Sequence, residues 1–140
     1  MDLLSAYGQF GDDYRYTEDP HYQLAFGGAG IEETMRFDSP PWKDLGRYLR
    51  NSPIFYVDRV QTPVMIIQGD MDSNAMQQAE EFFTALYRQG KRAELVRYWG
   101  EGHVISSEAN VRDMWERIFA WFDEFSPKPK DKKPTEQKPN

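Results

Sequence analysis

The sequence predicts an α/β fold organised around one parallel βαβ unit, and three features of residues 63–104 carry that expectation. Pro63-Val64-Met65-Ile66-Ile67-Gln68-Gly69 is a short apolar run closed by a glycine, which reads as a buried strand. Beyond the turn formers Asp70-Met71-Asp72-Ser73-Asn74, the apolar residues Met76, Ala79, Phe83, Leu86 and Tyr87 recur at spacings of three and four, and Gly90 stands where a helix would stop. Ala93-Glu94-Leu95-Val96-Arg97-Tyr98-Trp99 is a second strand pattern leading into Gly100-Glu101-Gly102-His103. Together these make a strand, a crossover helix and a second strand.

Along the chain, residues 1–62 are the least regular. Tyr7 to Tyr16 is rich in aromatics and glycine without a period, Phe26-Gly27-Gly28-Ala29-Gly30 reads as a flexible joint, and Ser39-Pro40-Pro41 as a break. Trp42, Leu45, Tyr48 and Leu49 fit a short amphipathic helix, and Asn51-Ser52-Pro53 opens a turn or short helix carrying Ile54, Phe55 and Val57. Residues 63–125 hold the βαβ unit and then the longest helix, whose apolar stripe is Val111, Met114, Trp115, Ile118, Phe119, Phe122 and Phe125, with Ser106 or Ser107 as its N-cap. Trp115, Trp121 and the neighbouring phenylalanines are expected to be core at helical spacing. From 126 to 140 the Lys/Pro-rich tail has almost nothing to bury and is expected to be disordered.

Composition narrows the function classes. A chain of 140 residues accommodates one modest domain. With 29% charged residues, a mean hydropathy of −0.79 and a net charge of −6, it reads as a soluble acidic protein. It lacks the basic excess of a nucleic-acid binder and any apolar run long enough to span a membrane. The absence of cysteine excludes disulfides and thiolate metal sites and leaves the compartment open, cytoplasmic or periplasmic. The first residues have neither the basic end nor the apolar core of a signal peptide.

The βαβ unit also places chemistry. Its two strands run parallel, so the loops leaving them emerge on one edge of the sheet, with the strands ~4.8 Å apart. Asp72 follows the first strand and His103 the second, so an acid and a histidine can meet where open α/β sheets hold their sites. An acid that orients a histidine is two-thirds of a hydrolytic triad. Each residue has a plainer reading: Asp72 as a turn former or helix cap, His103 as a loop residue between glycines. His21 sits in a polar stretch and reads as a surface residue. Calcium is the rival for Asp70, Asp72, Asn74 and Glu81, which match positions of an EF-hand loop. However, Ala75 stands where the loop needs glycine, and a strand pattern precedes it instead of a helix. No metal or cofactor is expected.

Ser52-Pro53-Ile54-Phe55-Tyr56-Val57-Asp58, Thr62-Pro63-Val64, Gln68-Gly69-Asp70-Met71-Asp72, Leu95-Val96-Arg97-Tyr98 and Gly100-Glu101-Gly102-His103, in that order, resemble the closing segment of the prolyl oligopeptidase family of serine peptidases. The branch most resembled is the dipeptidyl and acylaminoacyl peptidases. The resemblance covers residues 50–125 well and residues 1–49 loosely. It implies the C-terminal portion of an α/β-hydrolase fold with an incomplete sheet, with Asp72 as the triad acid and His103 as the general base. It further implies a peptide substrate and, as partners, the upstream part of the catalytic domain and a β-propeller. The sequence departs from the family at Gln68, where histidine is frequent before the glycine, and at Ser73-Asn74-Ala75, where an arginine and a valine are usual.

An α/β-hydrolase carries its nucleophile on a G-x-S-x-G elbow that precedes the acid and the histidine in the chain. None of Ser5, Ser39, Ser52, Ser73, Ser106, Ser107 or Ser126 has glycines two residues before and after it. The elbow and the oxyanion donors are expected upstream of Met1. The chain is thus expected to be the last part of a catalytic domain, inactive alone, with an uncovered sheet edge and uncovered helix faces that make it dimerise, aggregate or be only partly stable. Two alternatives keep the fold and change the role: an esterase-type hydrolase, and a non-catalytic interaction module derived from a hydrolase.

Overall fold

Residues 2–7, 32 and 36–126 are described in the computed structural model of the chain. The glycine joint at 26–30, His21 and the tail from 127 onward lie outside the described residues. In order, the elements among the described residues are helix α1 (Leu3–Tyr7), helix α2 (Leu45–Arg50), a 3₁₀ helix (Pro53–Arg59), strand β1 (Val64–Gly69), helix α3 (Ser73–Arg88), strand β2 (Ala93–Tyr98) and helix α4 (Glu108–Phe125).

The centre is the βαβ unit. Strands β1 and β2 pair in parallel from Val64 opposite Ala93 to Gly69 opposite Tyr98, which puts both carboxyl ends on one edge. Among the described residues the sheet has these two strands alone, an incomplete α/β-hydrolase sheet. Its apolar run is consequently half-buried along most of β1, where the sequence suggested full burial. Two strands present too little surface to be covered on both faces.

Helix α3 forms where the three-and-four spacing requires it and packs on β1, β2 and the 3₁₀ helix. Met76, Ala79 and Leu86 are buried, Leu86 completely. Tyr87, grouped with them by spacing, points outward. The helix ends in a Schellman turn. Lys91 N donates to Leu86 O and Gly90 N to Tyr87 O, both at 3.0 Å, with Gly90 at φ +66°, a conformation glycine takes without a Cβ clash.

The remaining helices depart further from expectation. Trp42 lies in a turn ahead of α2 and is largely exposed, so the short helix is not built on a buried Trp42 face. Its N-cap is Asp44, whose carboxylate accepts from Arg47 N at 3.1 Å. A small second core instead gathers Leu3, Phe37 and Tyr48. The stripe on α4 is not core among the described residues. The helix has no buried residue, Phe119 and Phe122 are mostly exposed and Trp115 is about half exposed. Ser107 occupies its N-cap position without a side-chain capping bond.

Candidate active site

Strand geometry brings the two expected site residues together. The loops after β1 and β2 are laced by three hydrogen bonds: Asp70 N to Tyr98 O (3.1 Å), Met71 N to Glu101 O (2.9 Å) and Gly100 N to Asp70 Oδ1 (2.6 Å). Gly100 takes φ +78° at this crossing. A Cβ at Gly69 would run into the carbonyl oxygens of Glu101 and Gly102, so only glycine lets the end of β1 lie against the second loop. Asp70 thus acts as a latch between the loops.

Beyond the latch, His103 Nδ1 lies 2.6 Å from Asp72 Oδ2. The Asp72 side chain is 12% exposed and that of His103 86% exposed. One ring edge therefore meets a largely buried carboxylate while the other faces open space. If Nδ1 carries the proton and donates it to Asp72, Nε2 is left with a lone pair, the arrangement a general base requires. Asp72 is the N-cap residue of α3, yet its side chain makes no capping bond. The plainer reading of Asp72 as a helix cap does not describe its carboxylate.

Two contributors escaped sequence reasoning. The first is Gln68, whose Nε2 donates to the same Asp72 Oδ2 at 3.0 Å; it stood out in the sequence only as a departure from a resembled motif. The second is Glu101, which is buried. Its carboxylate accepts from Ser106 N (2.8 Å), Ser106 Oγ (3.2 Å), Ser107 N (3.1 Å) and Asn110 Nδ2 (2.7 Å). Hydrogen bonds from Ser107, from the Ser106 backbone and from Asn110 hold its carboxyl down at about 2. Glu101 thereby fixes both ends of the loop 102–105 that carries His103. An acid between two glycines was the available signal; its partners lie five to nine residues on, beyond any local pattern.

Among the described residues the hydroxyls of Ser5, Ser52 and Ser106 are engaged by partners other than His103. Ser5 Oγ donates to Asp2 O, Ser52 Oγ to Tyr48 O and Ser106 Oγ to Glu101. Among the described residues no cluster of three metal-ligating side chains is present, and no helix is long and apolar enough to cross a membrane.

The family model for the prolyl oligopeptidase family matches residues 20–128. Over 87 residues the chain is 33% identical to the uncharacterized peptidase YuxL of Bacillus subtilis (strain 168), covering 59% of this chain and 13% of that protein. Over 91 residues it is 28% identical to a probable chloroplastic glutamyl endopeptidase of Oryza sativa subsp. japonica, covering 63% and 10% respectively. The chain therefore spans 13% or less of the length of these curated relatives. Among solved structures, dipeptidyl peptidase 4 of Porphyromonas gingivalis superposes with a TM-score of 0.56 at 21% identity, over 64% of this chain and 13% of that one. The isopeptidase AtxE2 superposes with a TM-score of 0.53 at 26% identity, over 73% and 16%.

Proposed function

We propose, because this chain belongs to the prolyl oligopeptidase family, that Asp72 and His103 are the acid and the general base of a Ser-Asp-His triad in a serine peptidase. The observation that carries the reading is the 2.6 Å approach of His103 Nδ1 to Asp72 Oδ2, made at the carboxyl ends of two adjacent parallel strands. The nucleophile is a serine on the part of the parent catalytic domain outside these 140 residues, since no serine here stands in G-x-S-x-G. The substrate is a peptide. The partners are the rest of that domain and, following the family resemblance, a β-propeller.

In this reading His103 Nε2 takes the proton from the serine Oγ as the oxygen attacks the peptide carbonyl carbon. Asp72 remains ionised, holds the ring with its proton on Nδ1, and stabilises the imidazolium. The proton passes to the leaving amine, and a water repeats the sequence on the acyl-enzyme with His103 again as base. The exposure of the ring's outer edge supports an approach by both serine and water.

The test uses the parent protein and the chain side by side. In the parent, His103→Ala is expected to abolish turnover, and Asp72→Asn to lower kcat by about 10⁴-fold. A fluorophosphonate, which marks activated serines, is expected to label the parent and leave the 140-residue chain unmarked. Label on Ser73, Ser106 or any other serine of the chain would overturn the proposal.

A further inference from the structure

Three of the described helices are entered through an aspartate, and among these one carboxylate, that of Asp72, leaves the helix end uncapped. Ahead of α1, Asp2 accepts from Leu4 N at 2.9 Å. Ahead of α2, Asp44 accepts from Arg47 N at 3.1 Å. This is the ordinary behaviour of an aspartate at a helix start, where free backbone N–H groups compete for its oxygens. Asp72 stands at the same place on α3 and makes no such bond. What distinguishes it is a second donor: Gln68 Nε2, 3.0 Å from the very oxygen that faces His103.

We propose that Gln68 is a positioning residue that selects the Asp72 rotamer facing His103 over the one that would cap α3. The inference rests on the triad reading above and deepens it. Gln68 is placed for the task. Gly69 after it has no side chain and lies against the histidine loop, so Gln68 is the last β1 residue able to reach across to Asp72. His103 alone is a weak anchor for that rotamer, because its own side chain is 86% exposed and tethered only through the loop. An amide donor on the rigid strand holds the carboxylate whether or not the ring is in place. The carboxylate in turn meets the ring already aimed.

The readout is the tautomer of His103. A carboxylate facing Nδ1 favours the proton there, whereas an isolated imidazole prefers it on Nε2. The 140-residue chain has two histidines, so a nitrogen-15 histidine spectrum at about pH 9, where an unperturbed imidazole is neutral, contains two rings, and His21→Gln assigns them. Gln68→Met, of similar length but without a donor, is expected to shift the His103 tautomer ratio toward Nε2–H by about tenfold. Gln68→Glu, similar in shape and unable to donate, is expected to do the same. Helix content by circular dichroism is expected to be unchanged in both, because the freed Asp72 turns to cap α3.

Asp72→Ala separates the two claims. If it leaves the His103 tautomer unchanged, the Asp72–His103 couple fails, and the triad reading fails with it. If Asp72→Ala shifts the tautomer while Gln68→Met and Gln68→Glu do not, the couple stands and the role given to Gln68 is overturned. A lowered melting temperature with an unchanged tautomer likewise makes Gln68 merely structural and overturns the proposal.

Discussion

Helices α3 and α4 look alike in sequence and end in opposite situations. Both carry an apolar stripe at three-and-four spacing with charges between. In α3 the stripe meets two strands and the 3₁₀ helix, and Met76, Ala79 and Leu86 disappear from solvent. In α4 nothing is buried, and Phe119 and Phe122 remain 61% and 60% exposed. Polar groups tether α4 instead: Tyr98 OH donates to Asp113 at 2.7 Å, and Arg117 and Arg92 lie 3.7 and 3.6 Å from Glu94 and Glu124. The Arg92 guanidinium also sits over the rings of Trp121 and Phe125. An amphipathic stripe states which face seeks cover; it does not state that cover is present.

The comparison is broken most severely at Leu86. Leu86→Ala opens a cavity under α3 and is expected to cost about 2–5 kcal/mol, read as a lowered urea midpoint. A loss below about 1 kcal/mol would mean that α3 is no better buried than α4.

Next comes the acid limb of stability, which tests the entry to α4. The Glu101 carboxyl is depressed in the folded chain from 4.5 to about 2. Its contribution is therefore fully present above the unfolded value and is lost as pH falls from about 4.5 toward about 2. The urea midpoint should decline over that window, and Glu101→Gln should flatten the decline. An unchanged slope in the variant would remove Glu101 from the account of the histidine loop.

Tyr98→Phe sharpens the contrast by removing the hydroxyl that ties β2 to α4 while leaving Asp113 its bond from Arg117. The expected cost is about 1 kcal/mol, with hydrogen exchange rising along α4 before α3. Equal loss of protection in both helices would show that they unfold as one unit.

The smallest effect on folding is expected on the exposed stripe. Phe119→Ser should change the unfolding free energy by no more than about 0.5 kcal/mol. The same change should lower the concentration-dependent association of the chain seen by light scattering, since an uncovered apolar face invites a partner. A compact wild-type monomer at every concentration, with a cooperative melt, would remove the premise.

Much of this molecule was already settled by local sequence. Val64–Gly69 and Ala93–Tyr98 are strands because their apolar and β-branched runs are short and bounded by turn formers. Ser73–Arg88 is a helix because its apolar positions fall on one face, and Gly90 ends it because its left-handed conformation suits glycine best. The meeting of Asp72 and His103 on one edge was also legible, because parallel strands leave no other geometry. What sequence could not settle was how each stripe and each polar side chain would be partnered. The partners of Glu101, the turning of Asp72 from its helix toward Gln68 and His103, and the exposure of Trp42 and of the α4 stripe all depend on groups brought near in space. A spacing pattern records which face of an element is apolar and which residues can cap. Only the packed chain determines which competing donor a carboxylate finds and whether an apolar face has anything to rest against.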